Sequence, residues 1–256
     1  MTAQKVALVT AGTAGLGAQV ARALAPDFRV VINYANNADR AQSLLSELSS
    51  IPNTIPKEYH ASPRFHSIRA DVSSKLALQS LVSETLSTMG RLDVVVSNHG
   101  WTRLTNFTNL DEGLNDEDWD KCFAYNVKSH LWLLAACREE LDKNEGCFIT
   151  TASIAGVKPS GSSLPYMVTK AAQIHLAKSL AVICSPRIRV NSVSPGLMLT
   201  EWGMKFPEAK REASRNNTKL KRLATVEDVA DQIRTLVLSR STTGQNLLID
   251  GGLANM

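Results

Sequence analysis

A tyrosine and a lysine stand four residues apart in YMVTK, from Tyr166 to Lys170, and together could carry acid-base chemistry. The residues that follow have a helical pattern, and helical residues four apart share one face, so the ammonium would lie beside the phenol. An adjacent cation favours tyrosinate, which is otherwise scarce at neutral pH because the ordinary pKa of tyrosine is about 10. Ser153 lies thirteen residues before Tyr166, where its hydroxyl could bond and polarise a substrate oxygen.

Ketone reduction is the reaction that these three groups would suit. It needs hydride on carbon and a proton on oxygen, so an acid must stand beside the carbonyl group. Tyr166 would give the proton, Lys170 would tune its acidity and Ser153 would orient the carbonyl oxygen. A Tyr-x-x-x-Lys pair alone is more often one aromatic residue and one solvated lysine, so the interpretation depends on the elements around the pair.

Those elements form a βα repeat, in which apolar runs of strand length alternate with longer amphipathic stretches. Strands that are apolar throughout are buried on both faces, and their alternation with helices is typical of a parallel sheet. We predict an α/β fold: one domain over residues 1–256, built as a doubly wound, Rossmann-like parallel sheet of about seven strands with helices on both faces. The predicted strands are Val6–Thr10, Val30–Tyr34, His66–Ala70, Leu92–Ser97, Cys147–Thr151, Arg189–Val193 and Asn246–Ile249.

Two stretches of the sequence show no clear periodicity of hydrophobic residues. Ser49–Pro63 contains three prolines and is predicted to be a surface loop. Leu197–Leu220 follows the sixth strand, at the sheet edge where open α/β folds bind their ligands. We therefore predict an irregular substrate lid over 197–220.

A glycine-rich turn, TAGTAGLG, joins the first strand to a helical stretch. Glycines there allow a sharp turn and a close approach of the backbone to a pyrophosphate, which then lies at the positive end of a helix. A purely structural tight turn is the alternative. The predicted cofactor contacts in this turn are Gly12, Thr13, Gly15, Leu16 and Gly17.

This turn resembles the Thr-Gly-x-x-x-Gly-x-Gly element of the short-chain dehydrogenase/reductase family, except that Ala11 replaces its first glycine. The family's Asn-Asn-Ala-Gly element is matched in part by SNHG, in which Asn98 and Gly100 agree. With the Ser, Tyr and Lys set and a Pro-Gly-x-x-x-Thr element at Pro195, the resemblance covers nearly the whole chain. It implies a dinucleotide-dependent oxidoreductase.

The resemblance also implies roles for individual residues. Asn126, in FAYNVK, matches the family's catalytic asparagine and would hold a water that links Lys170 to solvent. His99 departs from the family pattern, and a lone histidine is more often a satisfied structural group than a catalyst. Asp71 and Val72, after the third predicted strand, also match residues with which the family binds its cofactor. The cofactor contacts implied by all these matches are Asp71, Val72, Asn98, Gly100, Tyr166, Lys170, Pro195, Gly196 and Thr200.

The end of the second predicted strand indicates which cofactor fits. An acidic residue there would bond the adenosine ribose and repel an extra phosphate, but the sequence NYANN contains none. It resembles the Asn-Tyr-Ala-Asn stretch of NADPH-dependent fungal ketone reductases, so we predict NADP(H) rather than NAD(H). Ala14 stands where NADP-preferring members often have a basic residue, which leaves Arg40 as a distant candidate for the phosphate. The predicted phosphate contacts are Asn33, Tyr34, Ala35 and Asn36.

Composition excludes several other classes of protein. Of 256 residues, 44% are hydrophobic and 20% charged, and a net charge of +4 is scattered rather than gathered, so we expect no nucleic-acid partner. Four cysteines without Cys-x-x-Cys spacing predict buried, reduced thiols and no metal site. The sequence begins without a leader or a long apolar span, from which we expect a cytoplasmic protein without membrane contact.

The expected function is NADPH-dependent reduction of a bulky, polyketide-like or cyclic ketone to a secondary alcohol. An NAD-dependent alcohol dehydrogenase, a cyclase on the same scaffold and a non-catalytic dinucleotide sensor are the alternatives. Relatives assemble through two long helices, here Trp119–Leu141 and Tyr166–Ile183, which implies a homotetramer or dimer. Bulky residues expected around the substrate are Trp101, Leu164, Leu197, Trp202 and Met204.

Overall fold

The computed structural model describes residues 4–61 and 63–255. Its centre is one seven-stranded sheet in which every neighbouring pair is parallel, in the order β3-β2-β1-β4-β5-β6-β7. This confirms the predicted doubly wound α/β fold. The strands are β1 Val6–Val9, β2 Arg29–Tyr34, β3 Phe65–Arg69, β4 Val94–Ser97, β5 Cys147–Thr151, β6 Arg189–Pro195 and β7 Asn246–Ile249.

The strand order places a crevice at the centre of the sheet. The chain builds outward from β1 to β3, then returns to pair β4 with the other side of β1. Connections after β1 and β4 therefore leave toward opposite faces, and a cleft opens between them at the carboxyl ends of the strands. The glycine turn and the SNHG segment border this cleft because they follow these two strands.

Helices cover both faces of the sheet and bury a hydrophobic core on each. Val9 belongs to one of these cores, whereas its neighbour Leu8 belongs to the other. Burial on both faces explains why the strands are continuous apolar runs. The helices are α1 Gly15–Leu24, α2 Ala38–Ser50, α3 Lys75–Met89, α4 Asp116–Phe123, α5 Ser129–Lys143, α6 Leu164–Ile183, α7 Glu208–Asn217 and α8 Val226–Leu238.

Three regions differ from the sequence-based expectation. The stretch 197–220 is not irregular throughout, because it contains a 3-10 turn at Gly203–Lys205 and all of α7. Helix α7 buries none of its residues, so it has no apolar stripe for a periodicity search to detect. The predicted helix 119–141 is divided between α4 and α5 by a π-helical segment, Ala124–Lys128. The predicted loop 49–63 contains a 3-10 turn, Lys57–Tyr59, and its Ser62 lies outside the described residues.

All four cysteines are free and buried, as predicted. Within 4–61 and 63–255, no group of three or more His, Cys, Asp or Glu side chains could hold a metal ion. No helix of this part of the chain is long and apolar enough to cross a membrane.

Candidate active site

The glycine turn lies at the mouth of the cleft and requires its glycines. A Cβ on Gly17 would overlap the Ala11 carbonyl oxygen and lie 2.8 Å from Nδ2 of Asn98. Gly15 has a φ of +49°, and a Cβ there would lie 3.2 Å from Cγ2 of Thr200. The turn thus packs closely against the segments after β4 and β6, and α1 starts directly behind it. Thr13 is half-buried and Leu16 buried in this turn.

Ala11 adopts a φ of +47°, in the left-handed region that a Cβ disfavours. Replacing it with glycine, Ala11→Gly, removes that penalty, while glycine's greater freedom in the unfolded chain offsets part of the gain. We expect the free energy of unfolding to rise by about 0.5 kcal/mol, measured by urea denaturation. The matched control is Ala35→Gly, because Ala35 has no positive φ. An Ala11→Gly protein that is no more stable than wild type would contradict the strain at this turn.

Asn33 is almost fully buried and binds backbone groups. Its Oδ1 accepts a hydrogen bond from the Ala11 N–H at 3.3 Å, and its Nδ2 donates to the Ala70 carbonyl at 3.0 Å. The side chain therefore links the glycine turn to the strands and offers no donor to a 2′-phosphate. The prediction that the Asn33 side chain contacts this phosphate is corrected accordingly. Tyr34, Ala35 and Asn36 follow it at the rim, where Tyr34 is half-buried and the other two are exposed.

Arg40, the distant candidate for a phosphate contact, lies in the first turn of α2 and pairs with a residue of the segment after β6. Its guanidinium is 2.9 Å from the carboxylate of Glu201, and both side chains are largely exposed. Exposed pairs of this kind are weak, so Arg40 can exchange this partner for another anion. Across the same rim, Asp71 is exposed and accepts two bonds from Ser73, while Val72 is mostly buried.

Asn98 and its neighbours join three strand ends beneath the cleft. The Asn98 N–H donates to Thr10 Oγ1 at 2.9 Å after β1, and its Oδ1 accepts from Thr151 Oγ1 at 3.2 Å on β5. At the far side, the Gly196 N–H donates to the Ile249 carbonyl at 2.9 Å and extends the pairing of Pro195 on β6. These bonds fix the spacing of the segments that border the cleft.

Ser153 and Tyr166 meet across the gap between β5 and α6. Ser153 follows β5, and α6 starts beyond Ser163, whose Oγ accepts from the Tyr166 N–H at 3.3 Å as a helix N-cap. Burial raises the pKa of Tyr166 to about 12, although the nearby Ser153 hydroxyl favours the anion. The phenol is therefore protonated at neutral pH and able to act as an acid.

Lys170 is buried one turn further along α6, with its ammonium 5.6 Å from the centroid of the Tyr166 ring. Nζ donates to the Thr151 carbonyl at 2.9 Å and to Oε1 of Gln173 at 2.8 Å. Burial lowers the pKa of Lys170 to about 7, because an ammonium is costly in a site of low polarity. Two acceptors hold the side chain, and one of its three N–H groups is left for a further partner.

Asn126 lies in the π-helical segment and is fully buried. Its Oδ1 accepts from the Trp101 N–H at 2.7 Å, and its Nδ2 donates to the Trp101 carbonyl at 2.9 Å. A Cβ on Gly100 would lie 3.2 Å from Asn126 Oδ1 and 3.4 Å from Lys170 Nζ, so glycine here lets both side chains approach. Single-turn π segments often mark functional sites, and this one places Asn126 beside Lys170.

His99 is a satisfied structural group, as the sequence analysis favoured. It is buried, with Nδ1 at 2.8 Å from Thr10 Oγ1 and Nε2 at 2.7 Å from Ser129 Oγ. Burial and the nearby Lys170 ammonium lower the pKa of His99 to about 3, so the ring is neutral. Its ring stacks on His130, which in turn contacts Gln173. Neither residue was predicted, because no sequence motif marks a buried polar residue inside a helix.

The segment 197–220 lies over the phenol. Trp202 packs edge-on to Tyr166, with ring centroids 6.1 Å apart. On α7, Lys210 donates to the Gly161 carbonyl at 2.7 Å, and a Cβ on Gly161 would lie 3.5 Å from the Tyr166 ring. Of the other bulky residues expected here, Trp101 binds Asn126 through its backbone, Leu164 packs on Gly113, Leu197 approaches Gly203 and Met204 is half exposed.

The cleft fits a nicotinamide dinucleotide. The first turn of α1 has no acidic residue, so its N-terminus can receive a pyrophosphate next to the glycines. Lys170 retains an N–H for a ribose hydroxyl. Both features lie along the same cleft, separated by the Asn98 segment, as an extended cofactor requires.

Known proteins are similar to this chain over nearly its whole length. A family model described as enoyl-(acyl carrier protein) reductase matches residues 10–254. The chain belongs to the short-chain dehydrogenase/reductase family. A Streptomyces violaceoruber member, assigned as ketoacyl reductase 2 of granaticin polyketide synthase, is 35% identical over 96% of this chain and 95% of its own.

Two solved structures of dehydrogenases are also similar, the first described as a short-chain dehydrogenase. One, from Burkholderia cenocepacia and in complex with NADP, is 29% identical over 99% of both chains, with a TM-score of 0.86. A 7α-hydroxysteroid dehydrogenase, in complex with NADH and 7-oxo glycochenodeoxycholic acid, is 25% identical over 98% of this chain and 94% of that one, with a TM-score of 0.85. The predicted family is confirmed, and the protein is an oxidoreductase that uses a nicotinamide cofactor.

Proposed function

We propose that this short-chain dehydrogenase/reductase is an NADPH-dependent reductase that converts a bulky, polyketide-like or cyclic ketone into a secondary alcohol. The observation that carries the proposal is the meeting of Ser153, Tyr166 and Lys170 at the carboxyl end of β5, under the segment 197–220. Hydride transfer to the carbonyl carbon is the chemistry that the bound cofactor supplies. The rest is proton transfer and orientation by side chains of this chain.

Each side chain has a distinct task in this proposal. The Tyr166 hydroxyl donates its proton to the carbonyl oxygen, and Ser153 bonds the same oxygen and holds it in line. The Lys170 ammonium stabilises the phenolate that remains, since an opposite charge in a buried site favours the ionised form. Asn126, beside Lys170 in the π segment, holds a water through which the proton is replaced from solvent.

Cofactor binding is proposed for the residues along the cleft. The glycine turn would hold the pyrophosphate, Asp71 and Val72 the adenine, and Pro195, Gly196 and Thr200 the nicotinamide end, with Asn98 and Gly100 between. Tyr34, Ala35 and Asn36 would receive the 2′-phosphate. Arg40 would join them by leaving Glu201, with which it forms only an exposed pair. The relative solved with NADP supports NADPH for this chain.

The cofactor preference and the reaction are tested together. Bulky cyclic and aromatic ketones are offered with NADPH or NADH, and oxidation of the cofactor is followed by its absorbance. We expect a kcat/KM at least tenfold higher with NADPH. The variant Asn36→Asp should lower kcat/KM for NADPH about tenfold, because a carboxylate repels the 2′-phosphate, and should leave NADH nearly unaffected.

The control for this experiment is Asn53→Asp, which makes the same change in the loop after α2. Equal activity with both cofactors would contradict the phosphate site at Asn36. A higher kcat/KM with NADH than with NADPH would favour the alternative, an NAD-dependent dehydrogenase. The hydroxysteroid relative solved with NADH is a precedent for that cofactor. Lack of reduction of any ketone by either cofactor would contradict the proposed function itself.

The proposed substrate is bulky because large apolar side chains beside Tyr166 are partly exposed. Trp202 lies against Tyr166 yet is 38% exposed, and Met204 beside it is 52% exposed, so both can pack on a substrate. The relatives assigned as a polyketide ketoacyl reductase and solved with an oxo-steroid acid support this class. We propose 197–220 as the substrate lid.

We also propose a cytoplasmic homodimer or homotetramer. On helix α6, Val182 is 79% exposed, and it lines one surface groove together with the exposed Val157 and with the exposed Leu248 of β7. Apolar side chains grouped in this way favour contact with another subunit.

A further inference from the structure

A cluster of buried polar side chains adjoins Lys170 through Gln173. Gln173, His130, Ser97 and Thr150, here called the Gln173 cluster, are each 2% exposed or less. Such groups are costly to bury unless they are hydrogen-bonded to one another. They join α6 to α5, β4 and β5, and none of them has a role in the proton transfer described above.

The hydrogen bonds of the cluster have one consistent direction. An ammonium can only donate, so the oxygen of the Gln173 carboxamide must face Lys170, from which it accepts at 2.8 Å. The amide nitrogen then faces Nε2 of His130 at 3.0 Å and also donates to Thr150 Oγ1. His130 therefore accepts at Nε2 and donates from Nδ1 to Ser97 Oγ at 2.6 Å.

A second ring keeps His130 in place. His99 stacks on it with centroids 4.3 Å apart and an angle of 6° between the planes. Ser129 donates to the Tyr125 carbonyl at 2.6 Å, so it accepts from His99 Nε2, and Thr10 donates to His99 Nδ1. Both rings are neutral, since burial lowers the pKa of His130 well below its usual value, as it does for His99.

We propose that Gln173 is a positioning residue for the reductase: its carboxamide oxygen holds the Lys170 ammonium, and the His130 ring fixes the direction of that carboxamide. Among the residues that the structure describes, Lys170 has one other acceptor, the Thr151 carbonyl. Without Gln173 the ammonium has one acceptor fewer in a buried site, so its charged form becomes less stable. The inference rests on the proposed function only in linking Lys170 to Tyr166.

The charges of the other groups near the ammonium determine how much Gln173 contributes to its stability. Cys122 of α4 faces Lys170, and burial raises the pKa of its thiol to about 11, so it is neutral. His130 of α5 and His99 after β4 are neutral, and on α6 itself Tyr166 is protonated. Lys170 is thus surrounded by neutral groups, and the Gln173 carbonyl is a main source of stabilisation for its charge.

Two substitutions of Gln173 should move the titration of Lys170 in opposite directions. Gln173→Met keeps the length of the side chain but loses the acceptor, so the pKa of Lys170 should fall by about one unit. Gln173→Glu places a carboxylate against the ammonium, so the same pKa should rise by about one unit or more. His130 can bond the carboxylate by carrying its proton on Nε2 and accepting from Ser97.

The titration is followed by NMR of the full-length protein with isotopically labelled lysine, without substrate or cofactor. The signal that is absent from Lys170→Met identifies Lys170. The control is Gln79→Met, the same substitution at an exposed glutamine within α3, and it should titrate like wild type. The alkaline limb of kcat/KM against pH for ketone reduction should move with each NMR shift.

Opposite shifts of the two Gln173 variants would support the proposal. An unchanged Lys170 titration in both, or shifts in one direction, would overturn it. If Gln173→Met fails to fold, Gln173→Glu decides alone, by an upward shift or its absence. Because NMR needs no ketone, these results stay separate from the proposed function, which fails only if no ketone is reduced.

Discussion

The variant Tyr166→Phe should bind NADPH as wild type does and lose ketone reduction by about a thousandfold in kcat. The hydroxyl is the proton donor in the proposed reaction, and phenylalanine keeps the ring that packs against Trp202. Removal of a general acid commonly costs a hundredfold to ten-thousandfold, since the proton must then come from water. Steady-state kinetics measures the loss, and a fluorescence titration measures cofactor binding.

The matched control is Tyr59→Phe, which removes a hydroxyl from the 3-10 turn before β3. It should keep both turnover and NADPH affinity. Retention of more than a tenth of wild-type turnover by Tyr166→Phe would contradict its role as the acid. A dinucleotide sensor would keep its function in this variant, so the same experiment separates the sensor alternative from a reductase.

The state of Tyr166 supports the proposed direction of the reaction, which is reduction of a ketone. Its pKa of about 12 leaves the proton on the phenol, ready for a carbonyl oxygen. Oxidation of an alcohol would need the phenolate as base, and burial makes that form costly. A protonated phenol is therefore suited to the reductive direction.

Local patterns in the sequence were sufficient to predict the fold and to bring together the side chains proposed to be catalytic. Apolar runs such as Cys147–Thr151 predicted their strands correctly, because both faces of the sheet are buried. Tyr166 and Lys170 could be paired because helical spacing is fixed, and Gly15 and Gly17 could be placed because few backbones allow such a turn. Each of these inferences depends on a few neighbouring residues.

Features that depend on tertiary contacts were missed or misassigned. Asn33 was placed at the phosphate because it ends a strand, but its side chain turns inward to Ala11 and Ala70. Helix α7 was missed because it has no buried face. Gln173 gave no signal at all, since its partners Lys170 and His130 come from one turn back and from another helix.

The contacts that were not predicted have a common effect. They fix the positions of segments and side chains that the sequence motifs identify but do not place. Asn33 sets the glycine turn against the strands, and Asn126 sets the Trp101 segment against the π segment. Gln173 accepts a hydrogen bond from the Lys170 ammonium. A family motif therefore indicates which atoms react, whereas the buried polar network determines where those atoms lie.

Replacing the lysine, Lys170→Met, should lower kcat/KM for ketone reduction about a thousandfold and also weaken NADPH binding. Methionine has nearly the same length but cannot stabilise the Tyr166 phenolate or donate to a ribose hydroxyl. In wild type, kcat/KM reports the free enzyme, so it should fall as pH rises through about 7, where Lys170 loses its proton. The variant should lack this fall, because it has no ammonium to titrate.

The control for this substitution is Lys75→Met, at an exposed lysine that begins α3. It should keep wild-type kinetics and the fall near neutral pH. Urea unfolding of each variant shows that the native fold is retained. If Lys170→Met kept turnover within tenfold of wild type, or kept the same dependence on pH, the ammonium would not be the group that stabilises the phenolate. Loss of NADPH binding together with turnover distinguishes Lys170→Met from Tyr166→Phe, since methionine removes the proposed donor to the ribose whereas phenylalanine keeps the aromatic ring.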